Sequence, residues 1–459
     1  MIFHPGIPFP GFFRAFSIEF PKIWITLQGL AVPYPGMKKY YVVITLLLLS
    51  LALAAQDKVK RGFNSVPYPV IGYSDDLGIQ YGLNYTIFDY GDGSIFPNYR
   101  HKAVMEFSRY TRGQTGLKLT YQSAYLIPGI RVSAAIAYNM NPMYHFYGFN
   151  GSATPVNRSL DRKEGVAFYD IDRKFIRAVT TFQGPLADGL DWAAGVNFLS
   201  YKIGTLNPKY GYDTEYSLYN NYVSSGLIRP DEAGGGKALE FNAGLVYDSR
   251  NATTIPSHGI WSELYFTFAP DVFKTGHSYT RLSAHFRHYV GILDNDRLTF
   301  AYHLAYQEII SGDPPFYILQ NITSLVVNRT VNEGLGNKNT IRGTLYNRFI
   351  GKGYVWGNFE TRVKLFNFNI PTHLFSLENQ DFYLAANPFF DCGAIVSPYR
   401  LGAEPGSELY RQATKFHGSY GAGFKLVMNR NFVMSFEMAR PIIRDDGHFA
   451  LIMGTNYLF

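Results

Sequence analysis

The sequence predicts an all-β fold, a sixteen-stranded antiparallel transmembrane β-barrel with one long extracellular loop folded inward and no periplasmic domain. Three observations carry that expectation. The 459 residues are 17% aromatic and 17% charged, with 36 Tyr and 37 Phe, yet the mean hydropathy is −0.09; an ordinary soluble globule has fewer aromatics and more charge. Apolar residues recur at every second position in one segment after another, the period of strands that have one face in lipid and one in a lumen. The connections between those segments alternate between long and short, as they do when one end of a barrel carries loops and the other carries turns.

The first element along the chain reads as an export signal. Tyr41 to Ala55, "YVVITLLLLSLALAA", follows Met37-Lys38-Lys39 and ends on Ala52-Leu53-Ala54, the charged, apolar and small-residue parts of a signal peptide. It is too short for a membrane-spanning helix, which needs about 20 apolar residues. Residues 1–36 are therefore expected to precede the true start, 37–55 to form the signal peptide, 56–69 a short periplasmic segment, and 70–459 the barrel. Residues 1–55 hold Arg14, Lys22, Lys38, Lys39 and Glu19, so without them the formal charge falls from +7 to +4. The remaining Lys and Arg are scattered singly, which argues against nucleic acid as a partner. The single cysteine, Cys392, excludes an intrachain disulfide or a cysteine metal cluster, and no cofactor is expected. An exported, cysteine-poor, aromatic-rich chain points to the bacterial outer membrane, with its lipid as partner.

Strands are expected near 70–73, 79–90, 101–111, 117–127, 131–141, 171–183, 191–203, 238–250, 259–269, 279–292, 297–309, 353–367, 381–397, 416–428, 432–441 and 448–459. The last shows the pattern clearly, with Phe449, Leu451, Met453, Thr455, Tyr457 and Phe459 on one face. If the chain enters from the periplasm, the connections 142–170, 204–237, 310–352 and 398–415 lie outside and are long. Those at 128–129, 295–297 and 429–431 lie inside and are short. Long connections without structure of their own are usually functional, and 310–352 is the longest.

That loop contains Arg342. In the twelfth strand Phe359, Thr361, Val363 and Leu365 share the lipid face, which turns Asn358, Glu360, Arg362 and Lys364 to the lumen; a charge facing lipid at midplane costs about 2–4 kcal/mol. In the thirteenth, Phe382, Leu384, Pro388 and Phe390 face out, so Asn387, Phe389 and Asp391 face in. Glu360 and Asp391 thus sit on neighbouring strands of the inner wall. A loop folded into the lumen brings Arg342 to both, because a guanidinium forks onto carboxylates directionally. Gly343 permits a sharp turn beside it.

These segments carry a resemblance. "IRGT" (341–344) resembles the Val-Arg-Gly-Phe/Tyr loop motif of the BamA/TamA-type outer-membrane assembly superfamily, the bacterial surface antigen barrels. "NPFFDCGAI" (387–395) resembles their Phe-Asp-x-Gly strand, and "GAGFKLVMNRNFVMSFEMARP" (421–441) the strand pair after it. "YDSRNATTIPSHG" (247–259) and "VIGYSDDLG" (70–78) resemble the mid-barrel element and the first strand. Two departures stand out: Thr344 replaces the usual aromatic, and the family's periplasmic POTRA domains have no counterpart. The resemblance implies that Ile341, Arg342, Gly343, Glu360, Asp391 and Gly393 form a loop lock. It also implies a role in outer-membrane protein assembly or in protein or lipid translocation, with a periplasmic or lipoprotein partner in place of the POTRA domains. The ending "GTNYLF", with Gly454, Tyr457 and Phe459, resembles the signal by which the assembly machinery inserts barrels. The short first strand, beside Pro67, Pro69 and Gly72, implies few hydrogen bonds closing the seam to the last.

Two other classes stay open. A passive porin-like channel would need an open constriction. A lipid hydrolase would use "FHGSY" (416–420), where His417 and Ser419 share a strand face; that face points to the lumen, away from lipid, and no Asn follows Ser419 to orient the histidine, a role nucleophilic catalysis needs. His145, His258, His285, His288 and His303 have no metal-site spacing, although His285 and His303 face the lumen. "DEAGGG" (231–236) reads as a flexible tip.

Overall fold

A computed structural model describes residues 59–459 apart from 75–76, 97, 150–155, 161, 163–164, 294–295, 324–333, 337, 369–381, 401–415, 429–431 and 456. The expected upstream segment 1–36 and signal peptide 37–55 lie outside the described residues, as do the turn 429–431 and most of the connection 398–415. The strands are β1 (Phe63–Ser74), β2 (Gly78–Asp89), β3 (His101–Tyr110), β4 (Thr115–Ile127), β5 (Ile130–His145), β6 (Asp170–Ala187), β7 (Leu190–Thr205), β8 (Lys237–Asp248), β9 (Gly259–Ala269), β10 (Tyr279–Gly291), β11 (Leu298–Gly312), β12 (Gly353–Phe368), β13 (Phe382–Ser397), β14 (His417–Met428), β15 (Phe432–Pro441) and β16 (Ala450–Thr455). Each pairs antiparallel with its chain neighbours, and β1 closes on β16, giving the sixteen-stranded barrel.

Alternation drives this wall. In β9, Leu264, Phe266 and Phe268 are each 47% exposed on the outer face, while Glu263, Tyr265 and Thr267 between them are buried. An outward apolar band of this kind is stable only against lipid. The long connections 146–169, 206–236 and 313–352 all emerge at one end, here the loop end. They bury an aromatic cluster there, with Phe146 edge-on to Tyr222 at 5.4 Å and Phe149 edge-on to Tyr399 at 4.9 Å, the geometry aromatic quadrupoles favour. Arg229 and Arg400 clamp Asp313 at 2.8 and 3.1 Å. The segment read as a flexible tip is partly helical, at Pro230–Ala233. Its Glu232 is buried, accepting from the Phe316 amide at 2.9 Å and from Arg400.

Two strands differ from expectation. β1 begins at Phe63 rather than Val70, so residues 63–69, assigned ahead of the barrel, belong to its wall. Pro67 and Pro69 argue against a strand there, because proline cannot donate to a ladder and is confined to edges. Here β1 behaves as one: it pairs with β2 along its length, but its described register with β16 is only Tyr73 to Met453 and Ser74 to Ile452. The seam is therefore narrow, and the short strand is β16, with 6 residues, not β1, with 12. β16 also stops at Thr455, short of the expected Phe459. The chain beyond it turns inward, where Tyr457 is buried among Tyr383, Ala385, Val427 and Val433.

Candidate functional site

The connection between β11 and β12 descends into the barrel and brings Arg342 to the inner wall. Gly343 makes the turn, with φ at +84°, a left-handed conformation that costs other residues about 1–2 kcal/mol. A Cβ there would also lie 3.0 Å from the Cβ of Ala439. Gly393 gives the adjoining clearance: a Cβ on it would come within 2.9 Å of the Val355 carbonyl oxygen and 3.2 Å of Ile341 Cδ1. Ile341 packs there with Leu335, Phe349, Tyr354, Trp356 and Ile395. Thr344, in place of the usual aromatic, closes its own turn by donating to the Ile341 carbonyl at 2.6 Å and bridges to Gly447.

Arg342 is wholly buried. Its Nε and Nη2 donate to the two oxygens of Asp391 at 2.8 and 2.9 Å, and its backbone N–H adds a third bond at 3.1 Å. Nη1 donates to Glu360 at 2.7 Å and to Glu437 at 2.9 Å. The guanidinium carbon lies 3.5 Å from the ring centroid of Phe389, whose face attracts a cation. The structure places Ile341, Arg342, Gly343, Glu360, Asp391 and Gly393 together here; strand parity pointed to Glu360 and Asp391 and the resemblance to the full set, but neither assigned Glu437 to the cluster. The signal was present, since Glu437 shares the lumenal parity of β15.

Charge balance explains how such a site survives burial. A lone buried ion costs several kcal/mol, so stable clusters pair every charge. Arg362 donates to the second oxygen of Glu360 at 3.1 Å, and Lys425 donates to Glu437 at 2.6 Å. Three cations thus meet three carboxylates. Neutral amides complete the set: Asn387 donates to Glu437 at 3.1 Å, and Asn358 to Asp391 at 2.9 Å.

Arg362 extends the network to the last residues of the sequence. It donates to the Phe459 carbonyl at 2.7 Å and lies 4.2 Å from the Tyr457 ring centroid. Tyr457 and Phe459 therefore leave the strand face on which alternation placed them, while Gly454 remains in β16. A buried guanidinium with a vacant ring face beside it outcompetes a further pair of lipid contacts.

His417 and Ser419 lie on the lumenal side of β14, both buried. The structure supplies an orienting acid that the sequence did not indicate, with Asp446 Oδ2 2.6 Å from His417 Nδ1. The dyad is still not assembled: Ser419 Oγ and His417 Nε2 each lack a hydrogen-bond partner among the described residues. Phe349 stacks on the histidine at 3.9 Å, covering it. Among the described residues no group of three or more His, Cys, Asp or Glu converges as a metal site would.

A closed barrel with an inward segment clamped on one arginine defines a transmembrane barrel of the kind the Arg-Gly motif implied. The Omp85 superfamily domain matches residues 105–455, and the chain belongs to that superfamily. In fold it is similar to BamA from Haemophilus ducreyi lacking POTRA domains 1–3, at 15% identity and a TM-score of 0.54, over 86% of this chain and 70% of that one. CdiB from Acinetobacter baumannii aligns at 12% identity and 0.44, over 86% of this chain and 59% of its own. A bacterial polysaccharide outer membrane secretin aligns at 9% and 0.40, over 88% of this chain and 100% of its own. No curated protein matches the sequence.

Proposed function

We propose that this protein works in the bacterial outer membrane, in assembling outer-membrane proteins or passing protein or lipid across, with a locked plug and a lateral seam as its working parts. One observation carries the reading: the lumen is occupied by a segment fixed on Arg342, whereas the wall is narrowest where β1 meets β16, whose described register is two residue pairs. A pore for small solutes needs the reverse, an open lumen and a continuous wall. A partner from the periplasm or a lipoprotein would deliver the client, and the inward-turned Tyr457 and Phe459, with Gly454, would have served as the insertion signal before the barrel closed.

The test uses the seam. Tyr73 and Met453 are paired across it, so Tyr73→Cys/Met453→Cys in a Cys392→Ser background permits a disulfide. Oxidation should abolish insertion of an unfolded barrel client into proteoliposomes, and reduction should restore it. Planar-bilayer recordings should show a closed channel at rest. A large, steadily open conductance, or client insertion indifferent to the disulfide, would overturn the reading in favour of a porin-like channel.

A further inference from the structure

The lumenal wall holds a hydrogen-bond chain that two neutral imidazoles cannot satisfy. His285 on β10 and His303 on β11 stack with ring centroids 5.3 Å apart and planes 11° from parallel. His285 Nδ1 lies 3.1 Å from His303 Nε2. The far side of each ring meets a group whose role is fixed. His285 Nε2 is 2.8 Å from the Thr323 carbonyl, which only accepts, so Nε2 bears a hydrogen. His303 Nδ1 is 3.1 Å from Asn358 Oδ1. That amide cannot be reversed, because its Nδ2 donates at 2.5 Å to the Thr340 carbonyl and at 2.9 Å to Asp391, and both of those only accept. His303 Nδ1 therefore bears a hydrogen too. With those tautomers, two neutral rings would aim lone pairs at each other across 3.1 Å.

We propose that His285 and His303 share a third proton, forming a buried cationic pair that fastens the plug segment at Thr323 and makes its seating respond to pH. A proton between Nδ1 and Nε2 turns the lone-pair conflict into a charge-assisted hydrogen bond. Among the described residues the surroundings are charge-paired. On β10 itself, Arg281 pairs with Glu240 of β8 at 3.1 Å, and Arg287 pairs with Glu263 of β9 at 3.2 Å. Glu263 also stands opposite His285 in the ladder. On β12 are Glu360 and Arg362, on β13 is Asp391, and Arg342 comes from the plug, all inside the cluster described above. Beyond Ala305, the next lumenal residue along β11 is the neutral Gln307. Trp356 stands edge-on to both rings, at 5.5 and 5.9 Å, and Phe459 lies 5.6 Å from His303, keeping bulk water away.

Removing the shared proton forces one contact in the chain to break. The Asn358 end is anchored in the Arg342 cluster, so the break falls on the Thr323 end. Alkaline conditions should therefore loosen the entry of the plug while leaving its Arg342 anchor in place. The inference goes beyond the assembly reading and stands or falls separately from it, since neither readout below involves a client or the seam.

Two measurements on the full-length protein in lipid vesicles test it. An adjacent imidazolium quenches indole emission, so the emission difference between wild type and Trp356→Phe should rise in one single-proton step between about pH 5 and 8, where histidine titrates. Maleimide labelling of Ile322→Cys in a Cys392→Ser background should accelerate several-fold over the same step. Both transitions should vanish in His285→Gln. Flat traces in the wild type would overturn the proposal even if that variant fails to fold. So would a transition that persists in both His285→Gln and His303→Gln, or a stoichiometric metal ion retained through dialysis.

Discussion

The wall between β12 and β13 and the seam between β16 and β1 are joints of the same barrel built to opposite specifications. β12 and β13 are matched over thirteen residue pairs, from Gly353 with Ser397 to Phe368 with Phe382, and the Arg342 cluster straddles them through Glu360 and Asp391. Among the described residues the seam is matched over two pairs. A barrel gains nothing in stability from a narrow joint, because closure is what removes the exposed edges of a sheet. Lumenal side-chain chemistry is thus concentrated where the inward segment is held, and described backbone pairing is sparsest at the seam; on the function proposed above, the seam is where the wall yields.

Removing the plug's anchor should break this contrast most severely. Arg342→Ala leaves Asp391, Glu360 and Glu437 with two cations in a dry cavity, and breaking a buried ion cluster in this way costs about 3–5 kcal/mol. The expected result is loss of the heat-resistant compact band on gels, with Asp391→Ala behaving alike. Wild-type mobility in both variants would mean that the cluster does not hold the plug.

Arg362 links the two joints, so a charge-conserving change there sharpens the comparison at lower cost. Arg362→Lys keeps the charge balance and the Arg342 contacts but gives up the forked reach from Glu360 to Phe459, a charged hydrogen bond being worth about 1.5–3 kcal/mol. Amides of β16 should exchange faster with solvent deuterium while those of β12 stay protected. Equal acceleration in both strands would show that the joints are not independent.

The smallest effect concerns the loop end. Burial pushes the Asp313 carboxyl up, but Arg400 and Arg229 outweigh it and hold it below the usual carboxylate range. A carboxylate depressed in the folded state contributes stability above its unfolded value and loses that contribution as pH falls through the folded one. Protease nicking of the loops 206–236 and 313–352 should therefore increase only under strongly acidic conditions, and Asp313→Asn should nick at neutral pH. Insensitivity of that variant would assign the cap to its aromatic packing alone.

All sixteen strands and the inward faces of β12 and β13 were legible because alternation is local and lipid enforces it. Whatever depends on three-dimensional register was not. Glu437 had the right parity, but only the β13–β14–β15 ladder carries it to Arg342. The proline-spotted start of β1 looked like a segment outside the sheet, since nothing in "FNSVPYPV" indicates that its other edge goes unpaired. Asp446 reaches His417 from a different connection, and no spacing along the chain announces that. Tyr457 kept the rhythm of a strand that had already ended, because the guanidinium that draws it inward belongs to a strand some ninety residues earlier.

Cys392 follows Asp391 on β13, and a strand turns successive side chains to opposite faces. The thiol therefore points towards lipid while its neighbour grips the plug. Its partners in the ladder are Gly357 on one side and Gly418 on the other, so neither directly paired residue sets a side chain against it. As the sole cysteine of the sequence, it gives a spectroscopist a ready attachment point, from which a membrane-side dye could report plug movement without a foreign group entering the lumen.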